Sequence, residues 1–196
     1  MKKVICLILV GLIMFINPTY IEEENCSYKE IKENIITTEE EEIKNTIEEE
    51  IPLFCIVRNL VDDHQEEIYY LANVMWGEAH ICQTTQEKAA VAWCCLNRVD
   101  AGYGDLISVI TSGQFDGYIP GLEVPYEYLD LARGVLYSYY TEQLGGSTRG
   151  RCLPKEYLFF MGDGVKNYFT IGFHDGDLQY CKNNAYTWYL PDPYII

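Results

Sequence analysis

Glu78 stands in an apolar neighbourhood that suits acid–base chemistry. Met75, Trp76 and Ala79 are close to it along the chain. Apolar neighbours lower the local dielectric constant, which disfavours the charged form and raises the pKa of a carboxyl group. A carboxyl group that keeps its proton near neutral pH can donate it to a substrate. These neighbours therefore predict that Glu78 acts as a general acid.

A helix must position Glu78, because the residues before it repeat with the helical period of about 3.6 residues. Glu78 lies on the flank of the apolar face, where the wall of a cleft is expected. Capping patterns predict that this helix begins after Asp63, with Glu66 three residues on, and that the next begins after Thr84, with Glu87 in the same relation. The face expected to be buried consists of Ile68, Leu71, Ala72, Met75 and Ala79.

Further helices and a hairpin are expected after Arg98. We predict a short helix over 105–111, a loop that carries Gln114 and Phe115, and a longer helix that begins at Pro125. Two apolar runs, 157–161 and 168–171, flank a glycine-containing loop, which is typical of a β-hairpin. The predicted class is α+β: a small, mainly helical domain with a C-terminal β-hairpin or small antiparallel sheet.

An ordered series of short motifs accompanies this pattern. It comprises Leu71-Ala72, Trp76-Gly77-Glu78-Ala79, the helix 89–98 and Gly113-Gln114-Phe115, with weaker agreement through 131–132, 157–160 and 167–169. The series resembles the SleB-like cell-wall hydrolases, which are spore-cortex-lytic enzymes and relatives with a lysozyme-like catalytic domain. The resemblance implies a lysozyme-like fold, cleavage of peptidoglycan glycan strands and Glu78 as the catalytic acid. Two positions depart from the family pattern, because Asp116 stands where Ser is frequent and Asn167 stands where His is frequent.

The expected reaction is that of a lytic transglycosylase, in which Glu78 serves first as acid and then as base. Gln114 and Asn97 are candidates for orienting the substrate or Glu78 through amide hydrogen bonds. For Asn97 we give equal weight to helix capping next to Arg98. The candidates for the aromatic lining of a sugar site are Trp76, Phe115 and Tyr168, for each of which filling the core is the competing interpretation.

Three alternatives remain open. Asp116 is the candidate second carboxylate of a lysozyme-type muramidase, although its place before Gly117 favours a solvated turn residue that hydrogen-bonds nearby backbone. A peptidoglycan-binding module without turnover would offer a stacking surface made of Trp76, Phe115, Tyr118, Tyr168 and Trp188. A cysteine-nucleophile amidase with His174 as base fits poorly, because Cys94 and Cys95 fall within a helix and are expected to be small core residues.

Composition divides the chain into three parts. Residues 1–20 have the basic start and short apolar run of a signal peptide, with an uncleaved membrane anchor as the alternative. Residues 21–50 hold twelve Glu against three Lys and are expected to be an acidic disordered linker. Residues 51–196 are expected to form the hydrolase domain. We therefore expect an exported monomer that acts outside the cell, in the cell envelope or in the spore cortex.

Charge and cysteine content limit the classes of ligand and cofactor that the domain is expected to bind. Residues 51–196 hold 18 Asp and Glu against 9 Lys and Arg, a net charge of −9, which argues against nucleic acid. The expected partner is the peptidoglycan glycan strand. No cofactor or metal is expected, and the chain has no Cys-x-x-Cys pair of the kind that holds zinc. Cys152 and Cys181 flank the proposed hairpin, and a disulfide between them is one interpretation of their placement.

Overall fold

The computed structural model describes residues 53–194. The chain divides into two units, residues 1–50 and 51–196, and all described residues belong to the second. The signal or anchor segment expected at 1–20 and the linker expected at 21–50 lie outside the described residues. Within residues 53–194, no helix is both long and apolar enough to cross a membrane.

Helices dominate the described unit. Residues 53–63 are helical. The later elements are α1 (Gln65–Ala79), α2 (Thr85–Asp100), α3 (Leu106–Thr111), α4 (Tyr126–Gln143), β1 (Phe159–Gly162), β2 (Asn167–Thr170) and α5 (Leu178–Asn184). The two strands pair antiparallel, with Phe160 opposite Phe169. The predicted α+β class is confirmed, and the short α5 follows the hairpin.

Helix α2 lies at the centre of the core. Its residues from Ala89 to Arg98 are all buried, as expected of a helix that is apolar on most sides. Helices α1 and α4 pack against it and against each other. Cys94 and Cys95 are small core residues, as predicted, and the predicted buried face of α1 is confirmed as well.

The predicted start of α1 is wrong, whereas that of α2 is confirmed. The chain is already helical up to residue 63, and His64 occupies the N-cap position of α1 without a side-chain cap. This upstream helix continues because Val57 and Val61 bury their side chains in the core. At α2, the Thr84 hydroxyl accepts from the Glu87 N–H at 3.2 Å and donates to its carboxylate at 3.0 Å.

The interpretation of Cys152 and Cys181 as a disulfide is wrong. Both thiols are free and buried. The Cys152 thiol faces the carbonyl oxygen of Gln86, 3.7 Å away in the first turn of α2, whereas Cys181 lies in α5, which packs on the hairpin. The two cysteines thus pack against different elements, although both flank the hairpin in sequence.

Candidate active site

A cavity of about 400 Å³ opens between the end of α1, the loop after α3 and the hairpin. This volume lies within the range of small-molecule sites. Polar groups dominate its wall, and they comprise the carboxyl groups of Glu78 and Asp116, the cations of Arg98 and Lys166, and the amides of Gln114 and Asn167. Apolar contacts come from Ile81, Phe160 and Met161.

Glu78 is half-buried in the last turn of α1. Burial raises the pKa of its carboxyl group, and the negative charge of Asp116 raises it further, while the Gly117 N–H opposes the rise. That N–H donates to Oε1 of Glu78 at 2.7 Å. Among the described residues Oε2 has no hydrogen-bond partner, so it is the oxygen that can carry a proton to a ligand.

Two glycines bring the backbone of the loop after α3 against the last turn of α1. A Cβ on Gly77 would lie 1.8 Å from the carbonyl oxygen of Gly117, and a Cβ on Gly117 would lie 2.5 Å from the carbonyl carbon of Gly77. No other residue type leaves room for this approach. The contact is what places the Gly117 N–H on the Glu78 carboxyl group.

Polar side chains on one stripe of α1 hold the same loop further along. The Tyr69 hydroxyl donates to the carbonyl oxygen of Leu122 at 3.1 Å. The buried Asn73 amide binds both backbone groups of Ile119, at 2.7 and 3.1 Å. Tyr69, Asn73 and Gly77 are spaced by four residues, so one stripe of α1 positions the loop. The amide of Asn73 within an apolar helix face is a sequence signal for this contact that the motifs above do not include.

Asn167 attaches the hairpin to the end of α1. Its Nδ2 donates to the backbone carbonyl oxygen of Glu78 at 2.9 Å, which satisfies one of the carbonyls that a helix leaves unpaired at its C-terminus. Strand β2 thereby contributes Asn167 to the wall of the cavity. Glu78 is held at its backbone by one wall of the cavity and at its carboxyl group by another.

Gln114 is the predicted substrate-binding residue that the structure brings to the cavity beside Glu78. Its Oε1 accepts from Nη1 of Arg98 at 2.9 Å. Among the residues that the structure describes, the amide nitrogen of Gln114 has no hydrogen-bond partner, so it can donate to a ligand. The position agrees with a role in orienting a substrate, which stays a prediction.

The three aromatic candidates lie outside the cavity wall. Phe115 is 4% exposed and packs beneath the cavity on the ring of Phe160. Trp76 is half-buried and makes an edge contact with Tyr128 of α4. Tyr168 lies on the face of β2 opposite Asn167, and its hydroxyl donates to Asp163 at 2.8 Å. Phe115 is therefore a core residue rather than a lining residue, whereas for Trp76 and Tyr168 a role in lining the sugar site stays a prediction.

Asn97 also lies outside the cavity. It is 1% exposed, and its amide donates to the carbonyl oxygens of Pro154 and Tyr157 at 2.8 and 3.0 Å. Its Oδ1 accepts from Nη1 of Arg151 at 2.6 Å. The expected substrate contact is thus corrected, because both ends of the amide are occupied within the protein. Asn97 fixes the segment that leads into β1.

Replacing Asn97 by Ala is expected to lower the free energy of unfolding by about 2–3 kcal/mol. The substitution leaves buried carbonyl oxygens and an Arg151 donor unpaired, and each such group costs about 1–3 kcal/mol. Urea denaturation measures the change. The control, Asn183→Ala, removes an exposed amide and is expected to change stability by less than about 0.5 kcal/mol. An Asn97 variant as stable as the control would contradict the structural role.

Several residues of the cavity were missed by sequence reasoning. Arg98, Lys166, Asn167 and Phe160 come from two segments that are far apart in the chain. Arg98 carried the clearest signal, because a charged residue within the apolar run 89–99 needs a specific environment.

The cysteine alternative loses support from the surroundings of the thiols. Burial raises the pKa of Cys94 to about 12 and that of Cys82 to about 11, so neither thiol ionises readily near neutral pH. The His174 ring packs on Tyr180, with 3.7 Å between the ring centroids.

Asp116 shares the cavity wall with Glu78 and is exposed, as expected of a solvated residue. Within residues 53–194 its side chain makes no hydrogen bond to backbone, which differs from the predicted turn role. The cavity therefore offers one half-buried acid held by a backbone N–H and one exposed carboxylate. This arrangement suits proton transfer to a polar ligand.

No protein-family model, no curated protein and no solved structure matches this chain.

Proposed function

We propose that the chain cleaves glycan strands of peptidoglycan as a lytic transglycosylase, with Glu78 as the single acid and base. The observation that carries the proposal is the Glu78 carboxyl group itself. Burial raises its pKa, Oε1 is held by Gly117, and the residue lines a cavity large enough for a sugar. The motif series that resembles SleB-like hydrolases supports the choice of substrate.

The proposed reaction needs no water and no second protein group. Protonated Glu78 gives its proton to the glycosidic oxygen as the bond from that oxygen to the anomeric carbon breaks. The sugar's own 6-hydroxyl oxygen then bonds to the anomeric carbon, and its proton returns to the Glu78 carboxylate. The products are one strand with a 1,6-anhydro end and one with a free hydroxyl group, and Glu78 is protonated again.

The cavity wall suits a hydroxyl-rich sugar ring that carries amide groups. Gln114 and Asn167 provide amides, while Phe160 and Met161 provide apolar contact for the face of a sugar. The expected export of the chain would bring the enzyme to the cell wall. The net charge of residues 51–196 disfavours the acidic peptides of the wall, so binding would depend on the sugars.

A two-carboxylate muramidase is the second candidate, because Asp116 lines the same cavity as Glu78. In that mechanism Asp116 would activate water or form a covalent intermediate, and the products would carry reducing ends.

Asp116→Asn separates the two mechanisms. We expect substantial residual activity and products that retain the 1,6-anhydro end, because Asn keeps the shape of the side chain and Glu78 is untouched. Mass spectrometry of fragments from purified peptidoglycan detects the anhydro end as a loss of one water from the muramic residue. Reducing ends in the wild-type digest, together with a collapse of activity in the variant, would establish the muramidase instead.

The same variant should also shift the pH dependence of cleavage. Glu78 must be protonated to act as acid, so activity falls as pH rises through its pKa. The charge of Asp116 raises that pKa, and its removal should move the alkaline limb of the rate profile to lower pH. Initial rates of fragment release across the pH range test this sign. An unmoved alkaline limb would mean that another group controls it.

A further inference from the structure

Arg98 supplies a buried cation to the cavity wall. The residue is 4% exposed and ends the apolar stretch of α2. Its Nε donates to the carbonyl oxygen of Leu158 at 2.6 Å, and its Nη1 donates to Gln114 at 2.9 Å. The guanidinium is thus held by the segment that precedes β1 and by the loop between α3 and α4.

This guanidinium has no counter-charge among the described residues. The other strongly buried arginine, Arg151, pairs with Glu142 at 2.8 Å. Arg98 forms no ion pair within residues 53–194, and the rings of Phe115 and Phe159 lie 4.6 and 5.0 Å from its central carbon. Burying a cation without an anion is unfavourable, and the two rings offset only part of that cost.

One edge of the guanidinium is open to the cavity. Nη2 makes no hydrogen bond to any described residue. Within residues 53–194, the Tyr128 hydroxyl is the one fully buried side-chain polar atom without a partner. Nη2 is therefore not fully buried. The open edge therefore faces the cavity that Arg98 lines. A guanidinium presents paired donors that match the two oxygens of a carboxylate.

The balance of charge in the cavity differs from that of the domain. Residues 51–196 carry a net charge of −9. The cavity wall carries two positive side chains, Arg98 and Lys166. When Glu78 holds its proton, the one negative side chain in the wall is Asp116. The site is therefore locally positive, and an anionic substituent is attracted there while the surrounding surface repels anions.

We propose that Arg98 binds a carboxylate carried by the sugar itself, the lactyl carboxylate of a muramic residue without its stem peptide. The inference rests on the proposed function and names the class of glycan that it uses. Arg98 lines the cavity together with Glu78, so a short carboxylate substituent on a sugar ring bound there can reach its guanidinium. Hydrolysis of the amide bond between the lactyl group and the peptide must supply this substrate.

The test measures binding by calorimetry to the inactive Glu78→Gln protein. The probes are a peptide-free muramic tetrasaccharide with free lactyl carboxylates and the same glycan with those groups converted to primary carboxamides. We expect the carboxylate form to bind at least about tenfold more tightly, in line with a charged hydrogen-bonded contact. An isolated stem peptide, which carries carboxylates without the sugar, should not bind.

Arg98→Gln, added to Glu78→Gln, should abolish the preference between the two glycans. Arg149→Gln is the matched control, since it removes an equal charge from an exposed site outside the cavity, and it should retain the preference. Arg98→Lys keeps the charge without the paired donors and should retain part of it, which provides a second variant if the first does not fold.

The outcomes separate this inference from the proposed function. Equal affinity for the two glycans in the Glu78→Gln protein, or a preference that survives Arg98→Gln, would overturn the role of Arg98 while glycan cleavage stands. Tight, Arg98-dependent binding of the carboxylated glycan by a wild-type protein that releases no fragments would overturn the cleavage reaction and leave the carboxylate site in place.

Discussion

Glu78→Gln is expected to lower the rate of glycan cleavage by at least about a thousandfold, because it removes the proposed proton donor. Gln preserves the shape of the side chain and its oxygen can still accept from the Gly117 N–H, which lies 2.7 Å from Oε1. The fold should therefore remain intact. Release of soluble fragments from purified peptidoglycan measures the rate, and circular dichroism checks the fold.

Two further measurements test whether this loss of rate is specific to the proton donor. The Glu78→Gln protein should still bind glycan, because recognition depends on the rest of the cavity wall. The matched control is Glu127→Gln, which changes an exposed carboxylate at the start of α4 and should leave the rate within about twofold of the wild type. Cleavage by the Glu78 variant at the control's rate would show that Glu78 is not the acid.

Gly77→Ala is expected to cost about 3 kcal/mol of stability and to lower activity about a hundredfold. Helix propensity alone predicts the opposite, since Ala is favoured over Gly within a helix by about 1 kcal/mol. The new Cβ would lie 1.8 Å from the carbonyl oxygen of Gly117, so the loop must move away from α1. Overpacking costs about 1–3 kcal/mol, and a displacement of about 1 Å at a reacting group costs about a hundredfold in rate.

Gly134→Ala provides the control for this effect. Gly134 is also helical, but a Cβ there would meet the Tyr194 ring at an ordinary contact distance of 3.8 Å. We expect this variant to gain up to about 1 kcal/mol in the free energy of unfolding and to keep full activity. Urea denaturation and fragment release measure both effects. A Gly77→Ala protein that gains stability as the control does would refute the close backbone approach.

The elements and the candidate acid could be predicted because their signals are local. Each of these signals spans a short stretch of sequence: the helical period of α1, the Thr84 cap of α2 and the apolar runs of the hairpin. Hydrogen bonds between residues that are near in sequence stabilise these elements. The error at Asp63 has a tertiary cause, because Val57 and Val61 bury their side chains and carry the helix past the expected cap.

The aromatic candidates show why the cavity wall was harder to predict. A ring that fills a core and a ring that lines a cleft have the same sequence signature, since both are large and apolar. The packing of α4 against α1 places Tyr128 on Trp76, and the hairpin places Phe160 over Phe115. These contacts join residues that are remote in sequence.

The sequence by itself determined the helical period of α1, the cap of α2 and the apolar runs of the hairpin, because each depends on neighbours along the chain. The burial that raises the pKa of Glu78 depends on the tertiary structure. Only the tertiary structure decided what surrounds the carboxyl group. Gly117 reaches Glu78 across 39 residues and Asn167 across 89, and Arg98 faces the same cavity. Such contacts arise from the burial of whole helices and strands against one another, a process in which apolar area outweighs any single polar contact.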